Sequence, residues 1–520
     1  MNGVQILLII GAGIGISALA HRRGLQPGLI VVTLAAGVSF IPGVPRLELE
    51  SELMLAIVVP PLLYSATRGA SFTAFGRNFR AIFNLGVLLV VLTAGALGAL
   101  STWLLPTIGL AAAFVLGSVL APPDTITTVT HGDELGLPKR VTTILTGESL
   151  VNDATALTLF SIAVAAVSGE HTTWGGGILE FFRNASIGAG IGGLLAIATL
   201  TLRKMLRNPT LETSLGLLVP FTAFLLAEQV HASGIIAVVV AAFSISINTS
   251  LDPRHQYPNA YRTRLQEDAF WPVVDFLLET FVFAYIGLQL KFVLEDLAAE
   301  EDPGLTRTLV AAGVLLLAAI VLRLTGVYAL FGWWQLGDRN TKAKLARSPE
   351  FAERLNERRT RGRRNRRPRE MPLDAPNARE TMVVGWTGMR GILTLAAAAS
   401  VPEMLANGEE FPGRSAIQAI ALIVTLGTLL IQGTTIRRLV GLLHLDTSGE
   451  RREAEEMRTR GVEVMTAAAP ARDGGPTTDD YEKQRTAIST AVSDGTLDEE
   501  TGRGLISDID LRQAAAQASS

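Results

Sequence analysis

Glu148, Ser149, Asn152 and Asp153 are the residues of this 520-residue chain whose types and spacing most invite chemistry. They fall in Thr146-Gly-Glu-Ser-Leu-Val-Asn-Asp-Ala-Thr-Ala-Leu157, inside an apolar run from 141 to 166. Ser149 and Asp153 are four apart, so a helix stacks a hydroxyl and a carboxylate on one stripe; Glu148 and Asn152 share the next. One face offers hard oxygens to a proton or a cation, and the other offers a carboxylate and an amide to neighbouring helices. A further acid, Asp124, lies in Leu120-Ala-Pro-Pro-Asp-Thr-Ile126, where two prolines remove backbone donors and break a helix. The freed carbonyls around Ala121 to Pro123, with Asp124 beside them, are candidate cation ligands. Arg390 stands in the glycine-rich Val384-Gly-Trp-Thr-Gly-Met-Arg-Gly-Ile392. A guanidinium stays protonated and is costly when unpaired in lipid. Glu148 is its expected counter-ion, which leaves Asp153 to exchange protons and cations.

The elements that must position these groups are membrane helices. The chain is 48% hydrophobic and only 18% charged, and the charges cluster between long apolar runs, which a soluble fold of this size would not need. About thirteen such runs reach or approach the ~20 residues that cross a bilayer, which predicts an all-α membrane protein with a transmembrane domain over 1–440. Asp153 lies roughly 20 Å along its helix from Lys139 and Arg140, at ~1.5 Å per residue, and so is deep in hydrocarbon. An acid at that depth is a functional-site candidate by default. Two interrupted spans in the two halves of a chain point to the binding site of a secondary transporter, because unwound backbone survives in a membrane only where it lines a cavity or is buried in protein.

Basic residues set the expected orientation. Arg22, Arg68, Arg80, Lys139, Arg140, Arg203, Arg262 and Arg264 fall in alternate loops, and the loop at 337–380 carries an arginine cluster from Arg358 to Arg369. This predicts a cytoplasmic face for them, with the N-terminus outside and the C-terminus inside. The arginine cluster reads as an anchor touching anionic lipid, with no nucleic-acid partner expected. Cysteine is absent, so no disulfide or thiol chemistry is available. No Ser/His pairing, paired-Asp motif or metal cluster appears in the spans, so the chain is not expected to be an enzyme, and no cofactor is expected. From 441 to 520 the composition turns charged, which predicts a cytoplasmic tail with an unidentified ligand. The N-terminal apolar run lacks a basic leader and reads as a first span.

Gly147-Glu-Ser-Leu-Val-Asn-Asp-Ala-Thr-Ala-Leu157 resembles the Asn-Asp signature of the monovalent cation:proton antiporters, the NhaP-like and NHE-like sodium/proton exchangers. Leu120-Ala-Pro-Pro-Asp124, His231-Ala-Ser-Gly-Ile-Ile-Ala-Val-Val-Val240, Ile286-Gly-Leu-Gln-Leu290 and Gly385-Trp-Thr-Gly-Met-Arg-Gly391 resemble that family's other segments, in the family's order. The resemblance implies an inverted-repeat fold with two crossed broken helices, dimerisation and core subdomains, and a homodimer in the plasma membrane. It implies exchange of Na⁺, or Li⁺ or K⁺, for H⁺, in the service of sodium transport and pH homeostasis. It carries the cation and proton site onto Asp153, Asp124, Ser149, Asn152 and the backbone at Pro123, with Asp153, Asp124 and Ser149 as Na⁺ ligands, and the structural ion pair onto Glu148 and Arg390. Two departures stand out. The chain has Pro123-Asp124-Thr125 where many relatives have Thr-Asp-Pro, and Ser65 follows Pro60-Pro-Leu-Leu-Tyr64 where many carry an acid. A K⁺-extruding K⁺/H⁺ antiporter is the alternative within transport; a membrane sensor signalling through the tail is the alternative outside it.

Overall fold

The computed structural model describes the chain except for residues 1–2, 23–26, 48–53, 55, 69–71, 126–131, 170–173, 207, 252–259, 300–302, 348–375, 406–407, 471–475 and 520. The arginine cluster from Arg358 to Arg369 lies outside the described residues. Those described form helices, with only two isolated antiparallel bridges, Asp124 to Met389 and Met404 to Glu410. This follows from the sequence: long apolar segments in lipid must satisfy every backbone group internally, and a helix does so.

Helices α1 (Gly3–Arg22), α2 (Pro27–Ser39) and α3 (Val59–Arg68) open the chain. Next, α4 runs from Phe72–Phe83 through a π-turn at Asn84–Leu89 into Val90–Leu104, and α5 (Gly109–Leu120) stops at the Pro-Pro pair. Helix α6 (Lys139–Val167) carries the Asn-Asp pair. Helices α7 (Trp174–Leu206), α8 (Pro209–Gln229) and α9 (Gly234–Leu251) follow, then the 40-residue α10 (Ala260–Ala299) and the 44-residue α11 (Gly304–Arg347). The Gly-rich stretch divides α12 (Ala378–Trp386) from α13 (Ile392–Ala399). The last apolar helix, α14, runs from Arg414–Thr428 through a π-turn at Leu429–Gly433 into Thr434–Leu443. Local signals set several starts. Asn208 accepts hydrogen bonds from the Thr210 and Leu211 amides ahead of Pro209, and Asn377 forms a capping box with Glu380.

Seven described helices are long and apolar enough to cross a membrane, and four shorter apolar ones accompany them. Of the thirteen expected spans, α3 is a ten-residue helix and the span after 380 is the divided pair α12/α13. The helices form two packed groups. In one, α7, α8 and α9 pack together with α3, while α1 and α2 lie against α10. In the other, α4, α5 and α6 pack with α11, α12, α13 and α14. Helix α10 touches both. Large apolar side chains such as Leu7, Leu194 and Trp333 stay on the outer surface, as lipid solvent allows. Three helices of the charged C-terminal region, α15 (Ser448–Ala468), α16 (Thr478–Ser493) and α17 (Glu499–Ser519), enclose a small core of their own around Tyr481, Ile488, Leu497, Leu505 and Ile509.

Candidate functional site

Two broken helices meet beside α6. Helix α5 ends at Leu120 and continues as non-helical chain through Thr125; α12 ends at Trp386 and continues as non-helical chain to Gly391. A backbone bond joins the two segments, the Asp124 amide donating to the Met389 carbonyl at 2.6 Å. Asn152 reaches across from α6, its Nδ2 donating to the Pro123 carbonyl at 2.8 Å. Thr125 donates from its hydroxyl to the Leu145 carbonyl at 3.0 Å, tying the same segment to α6 about two turns earlier. The prolines explain the exposed carbonyls: Pro122 and Pro123 cannot donate to a helical ladder, so backbone oxygens here look for other partners.

Each half-helix end meets a side chain of opposite charge. Arg390 donates from Nε to the Leu120 carbonyl at 2.9 Å, in the last turn of α5, where the macrodipole is negative. Its Nη1 donates to the Gly388 carbonyl at 2.5 Å, and its backbone amide donates to Thr428 Oγ1 at 3.0 Å. The Asp124 carboxylate lies against Gly391, the residue capping the positive N-terminus of α13. A Cβ at Gly391 would stand 1.7 Å from Asp124 Oδ2, so the close approach requires glycine.

The Glu148–Arg390 pair expected from sequence is replaced by another. Glu148, wholly buried, is held by both terminal nitrogens of Arg323 from α11: Nη2 bonds Oε2 at 2.8 Å and Nη1 bonds Oε1. Arg323 Nη2 also donates to the Val384 carbonyl at 3.2 Å, and Gly388 leaves room for the Arg323 stem. From its place in the eleventh apolar run, Arg323 would be free to snorkel if the helix ended near the membrane surface. The helix instead continues to Arg347, which puts Arg323 near its middle and 3% exposed. Arg390 is buried too, and backbone carbonyls at the crossing hold its guanidinium.

With Glu148 paired, Asp153 remains as the acid of α6 that faces the crossing. It is 7% exposed, Ser149 lies one turn earlier at 6%, and Asp124 is within electrostatic reach of Asp153. The Oδ1 of Asn152 is buried without a hydrogen-bond partner beside them. Two carboxylates, an amide oxygen and a broken-helix backbone are hard oxygen ligands, suited to an alkali cation or to protons. Among the described residues no three His, Asp or Glu side chains gather closely enough to hold a metal ion.

Two acids of α10 extend the acidic surface. Asp275 accepts from Ser65 Oγ at 2.5 Å, and its Oδ1 is buried without a hydrogen-bond partner. Glu279, one turn on, is within electrostatic reach of both Asp275 and Asp124. The sequence analysis misses Asp275, whose signal is its i, i+4 spacing from Glu279 just after Pro272. It also read Arg68, Arg140 and Arg203 only as markers of one membrane face. In the fold Arg203 pairs with Glu267 at 2.5 Å, both buried; Arg68 bonds Asp268 at 2.6 Å; and Arg140 pairs with Glu380.

Comparisons with known proteins agree on one group. The pattern defining the family described as "Sodium/hydrogen exchanger, transmembrane" matches residues 5–441. A Mycobacterium tuberculosis protein named an uncharacterized Na⁺/H⁺ exchanger is 30% identical over 471 residues, covering 90% of this chain and 79% of that one. The Na⁺/H⁺ antiporter ApNhaP of Aphanothece halophytica is 26% identical, covering 88% of this chain and 78% of its own. Among solved structures, the sodium proton antiporter MjNhaP1 of Methanocaldococcus jannaschii matches with a TM-score of 0.60 at 13% identity, over 85% of this chain and 98% of that one. That likeness shows the antiporter fold.

Proposed function

This chain belongs to the sodium/hydrogen exchanger family, and from that premise we propose that its crossing is where one cation and protons take turns. The chain is a multi-pass membrane antiporter exchanging a monovalent cation, Na⁺, for H⁺. The observation that carries the site is the convergence of Asp153, Asp124 and the unpartnered Asn152 oxygen on the broken-helix backbone. Asp153 holds either a proton or a dehydrated cation, and Asp124, Ser149, Asn152 and the carbonyl at Pro123 complete the cation's shell. Competition for one carboxylate couples the two fluxes, since occupancy by one ion excludes the other.

The group of α4–α6 and α11–α14 moves against the group of α1–α3 and α7–α9, with α10 between them, and so opens the site to each side in turn. The basic ends of the spans face the cytoplasm in the plasma membrane, the N-terminus lies outside, and two copies assemble through the group of α1–α3 and α7–α9. Supporting this orientation, Arg68, Arg203 and Arg264 gather at one end of the bundle, with the charged C-terminal helices. The test is Asp153→Asn in proteoliposomes. Cation-driven proton movement is expected to fall to background while the protein keeps its helical content and elution volume. Exchange within about twofold of the parent would remove Asp153 from the mechanism.

A further inference from the structure

The C-terminal helices α15, α16 and α17 do not hang free. Among the described residues their polar grips on the membrane bundle fall on α10 and on α6 and differ in kind, while α17 also touches the start of α4. The first grip is on α10. Asp510 of α17 receives Nε and Nη2 of Arg264 at 2.7 and 2.9 Å, and also Nε of Arg485 from α16 at 2.6 Å. Arg485 lies over the Tyr261 ring, its Cζ 5.2 Å from the centroid, and Arg262 bonds Gln517 at 2.6 Å. Asp510 is 2% exposed at its side chain and Arg485 5%, so one carboxylate joins tail and bundle in a nearly dry setting. Helix α17 also lies against α9.

The second grip is on α6, the helix of Asp153. Lys139 opens α6, and no side chain of its N-cap, Pro138, bonds the helix end. Glu450, in the first turn of α15, supplies that cap: its Oε2 accepts from the Lys139 backbone amide at 2.5 Å, a carboxylate at the positive end of the helix. The Lys139 ammonium then pairs with Glu500 of α17 at 3.2 Å, with the two side chains 40% and 68% exposed. Salt screens exposed pairs strongly and buried ones weakly. The grip on α10 is therefore an anchor that holds across ionic strengths, and the Lys139–Glu500 contact is a catch that salt loosens.

We propose that the C-terminal helices form an ionic-strength-sensitive latch, anchored on α10 through Asp510 and closing on the α6 helix through Lys139 and Glu500, that restrains exchange when salt is low. The latch rests on the exchange reading above, because its effect needs α6 to move relative to α10. In that reading α6 and α10 change their separation in each cycle, and a bundle fastened to both resists the change. Rising salt on the tail side breaks the Lys139–Glu500 contact, loosens the hold on α6 and leaves the tail attached to α10.

The experiment uses the full-length chain in proteoliposomes, with ionic strength on the tail-bearing side raised by choline chloride at a fixed Na⁺ gradient. The parent is expected to speed up as choline chloride rises. Lys139→Gln and Glu500→Gln are expected to run about 1.5- to fivefold faster than the parent at low salt, the factor an exposed pair allows, and to respond weakly to added salt. A second readout does not need transport. The chain has no cysteine, so Lys139→Cys/Glu500→Cys can be bridged by a short bifunctional thiol reagent, and the yield should fall as salt rises. Variants with the parent's rate and salt response overturn the latch, as does a bridging yield indifferent to salt. Absence of exchange in every protein together with a salt-dependent yield overturns the exchange reading and leaves the latch contact standing.

Discussion

At the scale of single residues, the decisive event is the choice of partner for Glu148. A bidentate guanidinium from Arg323 neutralises it, and the carboxylate four residues from Ser149 is left for ions. Removing one member of a buried pair strands the other and typically costs about 3–5 kcal/mol. Glu148→Ala and Arg323→Ala are thus each expected to lower the melting temperature sharply in detergent, with a coupling above about 1 kcal/mol in the double-mutant cycle. The cycle of Glu148 with Arg390 is expected to show weaker coupling, and the reverse ranking would contradict the pairing described here. The sequence carried the depth of Asp153 and the need for a counter-ion to Glu148. It could not rank two intramembrane arginines, because the reach of Arg323 depends on how far α11 continues, and the mixed composition beyond Trp334 hid that continuation.

At the scale of elements, the Pro122–Pro123 break and the Gly388–Gly391 break serve each other. One supplies carbonyls and a carboxylate, and the other supplies a guanidinium and an open helix start. Replacing both prolines with alanine lets α5 continue and use up the carbonyls that Asn152 and Arg390 now engage. Pro122→Ala/Pro123→Ala is expected to raise the half-saturating cation concentration of exchange by about tenfold or more, equal to roughly 1.4 kcal/mol of lost binding, in a protein that still elutes as a folded species. Ordinary half-saturation would reduce the break to a packing kink. Both interruptions were legible, since Pro-Pro and repeated glycine are direct breakers. Their meeting at Asp124 and Met389 was not, for a crossing is a contact between residues far apart in the chain and leaves no periodicity to read.

At the scale of the whole molecule, charge networks tie α3, α7, α10 and the C-terminal helices together at one end of the bundle. Glu267 is central to one of them: it pairs with Arg203 at 2.5 Å and with Arg68 at 3.5 Å, beside the Arg264 anchor of the tail. Arg203 is 4% exposed, so Glu267→Gln leaves a buried guanidinium without its carboxylate. This variant is expected to lose about 3–5 kcal/mol of stability, read as a fall in melting temperature, while Asp268→Asn, at a side chain 59% exposed, changes stability by under about 1 kcal/mol. Equal effects would mean that burial does not set the weight of this network. The alternation of basic loops was visible from composition alone. The pairing of those arginines with acids of other helices was not, because a loop arginine reads the same whether it faces lipid headgroups or a buried carboxylate.

The Glu148–Arg323 pair also sets an order of assembly. Its partners are 175 residues apart, and at ~5–20 residues per second the ribosome needs roughly 9–35 s to travel from one to the other. Over that interval α6 has entered the bilayer with a carboxylate whose permanent counter-ion has not been made. The nascent first half must shelter Glu148 by other means, through a passing proton, a neighbouring polar group or the insertion machinery itself. The arrival of α11 then closes the site. A chain halted between α6 and α11 would carry an orphan acid in hydrocarbon, a mark by which a quality-control protease could tell an unfinished exchanger from a complete one.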